Sequence, residues 1–131
     1  MNIFNGAHFG GTYFGEEGKH INVNMELLFF KEDNVFIIYA PSLDLTGYGK
    51  SPEEAQQSFV VILDEFFKYT LKKKTFFKEL ERLGWKKAGT KKKPQYKPPY
   101  LDTLFAEREY LKEIVREKDF EKYTQTLAMP A

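Results

Sequence analysis

The sequence predicts an α+β fold: a small antiparallel sheet with a helix packed on one face, followed by C-terminal helices and a terminal strand. Three observations carry this. Ile21, Val23, Met25, Leu27 and Phe29 alternate strictly with other residues, the signature of a strand with one buried face. After the polar break Lys31-Glu32-Asp33-Asn34, the β-branched and aromatic run Val35 to Tyr39 forms a second strand, giving a hairpin. Ser51-Pro52-Glu53-Glu54 then supplies a serine N-cap, a proline at the first helical position and a glutamate that completes a capping box. At 131 residues the chain, 1–131, suits a single domain, and its 13 Phe, 8 Tyr and 1 Trp can fill a core, which excludes disorder throughout.

The elements follow in order. Residues 1–18 hold five of the nine glycines among Phe4, Phe9, Tyr13 and Phe14, a mixture that reads as short strands with tight turns, Asn5-Gly6 being a type I′ hairpin signal. A phosphate cradle there lacks the Gly-Lys-Ser/Thr that such a loop needs. Leu28 and Phe30 give the first strand apolar character on its second side as well, and the continuous apolar run of the second strand predicts a central position covered on both faces. Pro41 ends that strand, and Leu43 to Lys50 reads as a connecting loop. From Pro52 the helix presents Ala55, Phe59, Ile62, Leu63, Phe66 and Thr70 on one face. Thr75 is positioned to cap a short helix with Phe76, Leu80 and Leu83 inward, and Gly84 falls where a left-handed C′ residue is wanted. The Lys- and Pro-rich segment 86–99 reads as an exposed linker. Leu101, Leu104, Phe105, Leu111, Ile114 and Val115 predict one helix over about 101–118, and residues 120–130 predict a terminal strand tied into the sheet.

Charge is segmented although the net value is only +1. Between Lys68 and Lys97, eleven lysines and one arginine stand against two glutamates, a local balance of +10, whereas residues 1–67 carry −7. Such a basic block either meets an anionic partner or folds against the acidic segments. With no cysteine, disulfides, thiolate nucleophiles and cysteine-bearing metal sites are excluded, and a reducing cytoplasmic setting is expected. No apolar run reaches the roughly 20 residues of a transmembrane helix, and no export signal is apparent, so no membrane partner is expected.

Catalytic chemistry finds little support in residue types. His8 and His20 lack partners at metal-ligand spacing, Ser51 is explained as a cap, and no serine sits in Gly-x-Ser-x-Gly. Carboxylates such as Asp33 and Glu54 are the remaining route, to a metal-dependent nuclease, but each has a local role in a turn or a cap. The sequence therefore predicts neither a metal site nor a cofactor. For nucleic acid, Trp85, Lys91, Lys92, Lys93 and Tyr96 within segment 85–97 combine phosphate neutralisation with stacking faces. With arginine absent from that segment, binding there would be independent of base sequence. A solvated lysine loop accounts for the same residues.

The order of strand, strand, proline loop and capped helix over residues 29–67 resembles the HicB-like antitoxin family. The residues concerned are Val35-Phe36-Ile37-Ile38-Tyr39-Ala40-Pro41-Ser42-Leu43-Asp44 and Gly47-Tyr48-Gly49-Lys50-Ser51-Pro52-Glu53-Glu54-Ala55, with Asp44-Leu45-Thr46 standing where the family pattern has Pro-Gly-Cys. The resemblance implies a fold like a truncated ribonuclease H without its catalytic acids. It also implies a non-catalytic protein that neutralises a HicA-type ribonuclease toxin by contact. Residues 75–131 show neither a helix-turn-helix nor a ribbon-helix-helix pattern, so operator binding is not expected. On this reading the partner-binding residues are Pro41, Asp44, Tyr48 and Lys50, and uncovered strand edges favour a homodimer.

Overall fold

The computed structural model describes residues 20–130; the Gly-rich hairpins expected before them lie outside the described residues. Strand β1 (His20–Glu32) turns at Asp33-Asn34 into β2 (Val35–Ala40), with both turn residues at positive φ (50° and 67°), the geometry of a type I′ turn matched to strand twist. A second hairpin through residues 41–44 leads to β3 (Leu45–Gly49), which pairs antiparallel with β2 from Phe36 opposite Gly49 to Ala40 opposite Leu45. This stretch, expected from its residues to be a loop, is a strand. Its glycines look like turn residues, yet they serve the packing of the next helix.

That helix, α1 (Pro52–Lys72), begins as expected: Ser51 is its N-cap and accepts a hydrogen bond at Oγ from the Glu54 N–H at 3.1 Å. It lies so close to β3 that a Cβ on Gly47 would stand 2.6 Å from the Phe59 nitrogen, and one on Gly49 2.3 Å from the Ala55 nitrogen. Only glycine admits that approach. Ser58 Oγ in turn accepts from the Tyr48 N–H at 3.1 Å, fixing helix to strand.

Helix α2 (Phe76–Arg82) follows, although Thr75 makes no side-chain cap hydrogen bond. It ends in a Schellman arrangement as the glycine predicts: Gly84 has φ 101°, its N–H reaches the Glu81 carbonyl, and the Trp85 N–H reaches that of Leu80. The segment read as a linker is instead a hairpin of β4 (Lys86–Gly89) and β5 (Pro94–Lys97). The single helix expected over 101–118 is two, α3 (Leu101–Glu107) and α4 (Glu109–Glu117), divided at Arg108, whose φ −117° and ψ 117° are extended. Strand β6 (Phe120–Pro130) closes the sheet as expected, pairing antiparallel with β1 along its whole length.

The four-stranded order is β3-β2-β1-β6, which puts β2 inside, as its continuous apolar run requires. One face buries Val23, Met25, Leu27, Ile38, Ala40, Leu127 and Met129 under Ala55, Phe59, Leu63 and Phe67 of α1. The other buries Leu28, Phe30, Ile37 and Tyr39 under Leu104, Leu111 and Ile114 of α3 and α4. The sheet is therefore covered from both sides, not from one.

Candidate functional site

The corner 41–44 is tied to elements on both faces of the sheet. From the α1 side, the buried Trp85 donates from Nε1 to the Ser42 carbonyl at 2.7 Å. From the α3 and α4 side, Arg108 donates from Nη1 to the Pro41 carbonyl and, at 3.3 Å, to the Tyr39 hydroxyl, while pairing with Asp44 Oδ1 at 3.4 Å. Tyr39 donates its own hydroxyl to the same Asp44 oxygen at 2.8 Å. The Leu43 N–H bonds the Ala40 carbonyl, and Asp44 takes φ 55°, a conformation that aspartate tolerates better than most side chains. The break at Arg108 thus has a structural result: an extended residue between two short helices points its guanidinium at the corner.

Burial pushes the Tyr39 phenol up to about 12, with the Arg108 hydrogen bond opposing and Asp44 adding to the shift. Tyr110 packs edge-on against Tyr39 at 4.9 Å and is also pushed up to about 12, first by burial and then by the nearby Tyr48, Glu32 and Glu113. Both phenols are neutral hydrogen-bonding groups at physiological pH. Neither is set up as a base.

Of the four residues that the resemblance assigns to partner binding, three are presented to solvent: Asp44 at this corner, Tyr48 further along β3 opposite Ile37, and Lys50 past the far end of that strand. The Asp44 side chain is 56% exposed, Tyr48 is 56% exposed, and Lys50 is exposed at the end of β3. Pro41 is buried, so its part is to turn the chain and offer its carbonyl to Arg108, not to touch a partner. Tyr48 faces the same side of the sheet as Ile37, its partner on β2, on the strand that α3 and α4 leave uncovered. The result is a surface of mixed charge with two exposed tyrosines, Tyr48 and Tyr110, in which Asp44 pairs with Arg108 and Glu32 with Lys118 while Lys50 stands at the end of the strand. Arg108 and Tyr110 were not singled out from the sequence. An arginine and a tyrosine within an amphipathic pattern look like polar-face residues, and only the break in the helix makes them otherwise.

The basic segment behaves differently from its expectation. Trp85 is 2% exposed and Tyr96 9%, both within the core beneath α1, with Tyr96 edge-on to Phe76 at 6.0 Å and near Phe77 at 6.3 Å. They are not stacking platforms for bases. Lys91, Lys92 and Lys93 remain exposed at the tip of the β4–β5 hairpin, where the Thr90 N–H bonds the Lys93 carbonyl and Thr90 Oγ1 accepts from the Lys93 N–H. Asp33 occupies the β1–β2 turn and Glu54 the first turn of α1. Among the described residues, no three His, Asp or Glu side chains converge where a metal ion could be held, and no helix is long and apolar enough to cross a membrane.

These features define an α+β protein with a four-stranded antiparallel sheet and a corner at residues 41–44 that is buried except for Asp44 and tied to both layers. Comparison of the chain with protein-family models, with curated proteins and with solved structures returns no match.

Proposed function

We propose that the protein is a non-catalytic, HicB-like antitoxin-type binding protein that neutralises a HicA-type ribonuclease toxin by contact through the surface around Asp44, Tyr48 and Lys50. The observation that carries this reading is the clamped corner. Two layers of the fold converge on residues 41–44 through Trp85 and Arg108 and hold Asp44 at the start of β3, the strand that presents Tyr48 to solvent on the face opposite α1. A recognition surface gains affinity when its groups are ordered before the partner arrives, and tyrosine is favoured at such centres. Asp44, whose side chain is 56% exposed, can meet a cation of the basic, RNA-binding face that such a toxin would present. Occlusion of that face would stop cleavage without any chemistry by this chain.

The test uses the HicA-type ribonuclease encoded beside this chain, if its gene neighbours one, mixed with the purified protein. A stable complex and suppressed RNA cleavage are expected, and Tyr48→Ala with Asp44→Lys should weaken the complex at least tenfold, about 1.4 kcal/mol. A toxin bound equally by the double variant, or not at all by the wild type, refutes the reading. Among the described residues the edges of β3 and β6 are unpaired within the sheet, which supports a homodimer formed by strand pairing; sedimentation equilibrium reads this directly. The alternative of nucleic-acid binding through 85–97 keeps only its phosphate half, the lysines of the hairpin tip, and predicts weak retention of RNA at low salt that vanishes as salt rises.

A further inference from the structure

Among the described residues the sheet has two outer margins, β3 and β6, and they are finished differently. The β3 margin is short and already engaged. Its strand has five residues, two of them glycines on which α1 rests, and its Tyr48 N–H is given to Ser58 Oγ at 3.1 Å. The exposed Lys50 stands just past its end. Short length, a lysine and a covering helix are the usual defences of a margin against pairing with another chain.

Strand β6 has none of these defences. It pairs with β1 through eleven residues without a break in register, so it carries no bulge, and no described strand lies on its other side. No glycine or proline falls before Pro130, and Tyr123 to Met129 is uncharged throughout. Eleven residues at about 3.4 Å each make a margin of roughly 37 Å that presents unpaired N–H and C=O groups. A margin of that kind is a template for one more strand.

We propose that β6 pairs antiparallel with β6 of a second copy about a two-fold axis at Gln125, joining the two sheets into one of eight strands. The strand itself selects this occupant and this register. Opposite residues in an antiparallel pair direct their backbone groups alike, so the axis of a self-pairing strand must pass between two copies of one residue. Gln125 is the residue that lets all eleven overlap. Thr124 then lies opposite Thr126 of the second copy and Tyr123 opposite its Leu127, pairs of the kinds that stabilise a ladder. Like charges stay apart: Glu121 meets the second copy's Met129 and Lys122 its Ala128, while the two copies of Glu121 stand about 27 Å from each other along the strands. Lys122 also lines an apolar cleft of about 400 Å³ with Phe120 and the exposed Phe105 and Val115, and the uncharged end of the second strand arrives beside it.

A self-paired β6 closes on itself, and the engaged β3 margin keeps the assembly at two copies instead of a filament. The proposal rests on the strand-pairing homodimer stated above and assigns it to one margin. Toxin contact through Asp44, Tyr48 and Lys50 lies at the other margin and does not enter.

Sedimentation equilibrium of the whole chain should show a dimer at micromolar concentration. Thr124→Lys with Thr126→Lys sets like charges opposite each other twice across the axis and should weaken the dimer about tenfold or more. Thr124→Lys with Thr126→Glu loses the same two hydroxyls but sets opposite charges there, and should restore it. The chain has no cysteine, so a single introduced one reports its own neighbour. Gln125→Cys should form an intermolecular disulfide under mild oxidation, because residues opposite in a ladder have Cα atoms about 4.5–5.5 Å apart, within the span of a disulfide. Thr46→Cys on β3 should not. A monomeric wild type refutes the homodimer and its site together. A dimer affected equally by the two charge variants, or one that crosslinks through Thr46→Cys and not through Gln125→Cys, keeps the homodimer and overturns its assignment to β6.

Discussion

The two faces of the sheet are built by different means. Under α1 the apolar surface is continuous from β6 through β1 to β2, and one capped 21-residue helix covers it together with α2, Trp85 and Tyr96. On the opposite face two short helices, of seven and nine residues, cover four strand residues, and the face then turns polar at Glu26 and Asn24. Neither short helix carries a side-chain N-cap hydrogen bond. Helices of that length are not stable by themselves, so their placement depends on tertiary contacts, those of the buried Leu104, Leu111 and Ile114 together with those of Arg108. A face held by one long element can be purely structural. A face assembled from fragments leaves edges and clefts, and the exposed Tyr48 lies on that face.

That contrast can be broken from either side. The largest effect is expected from Phe59→Ala: a fully buried ring between α1 and β3 should cost about 3–5 kcal/mol, read as a lower denaturation midpoint. On the other face, Arg108→Ala should cost about 2 kcal/mol through lost charge-assisted hydrogen bonds. Its sharper readout is faster amide exchange confined to residues 41–48 and α3–α4, while α1 stays protected. Trp85→Phe keeps most of the buried ring but drops the bond to the Ser42 carbonyl, for about 1 kcal/mol.

The last effect is absent at neutral pH. Tyr39 and Tyr110 have folded pKa values raised to about 12 against an ordinary 10, so the folded state holds their protons longer than the unfolded chain does. Stability is unaffected below pH 10 and falls as pH rises from 10 toward 12. Phenylalanine at both positions should flatten that decline, as followed by circular dichroism across the range.

Much of this architecture was legible in the residues. The alternation in β1, the apolar run of β2, the Ser51-Pro52 cap, Gly84 at the end of α2 and the terminal strand each announce themselves through local chemistry. What escaped notice depended on distant partners. Thr46-Gly47-Tyr48-Gly49 reads as a turn because nothing nearby reveals that a helix will rest on its backbone. The segment containing Lys91 to Pro94 reads as a linker because Trp85 and Tyr96, which fasten it to the core, are separated by a solvated tip. The pattern from Leu101 to Val115 is periodic enough for one helix, and the interruption comes from what Arg108 reaches 67 residues back in the chain. The same blindness affected the site: Asp44, Tyr48 and Lys50 proved exposed, but Pro41 works from within, and the aromatic residues offered for stacking were already occupied.

The pairing of β1 with β6 sets a timetable for synthesis. Partners from His20 with Pro130 to Phe30 with Phe120 are 110 to 90 residues apart in the chain. As the polypeptide leaves the ribosome, β1 and β2 can meet early, but the margin of β1 that pairs with β6 must wait until that strand, 90 to 110 residues later, has been made. Closing so long a loop is entropically slow, which places the completed sheet among the late events of folding. During that interval the nascent chain exposes an apolar strand to any passing chaperone or neighbour.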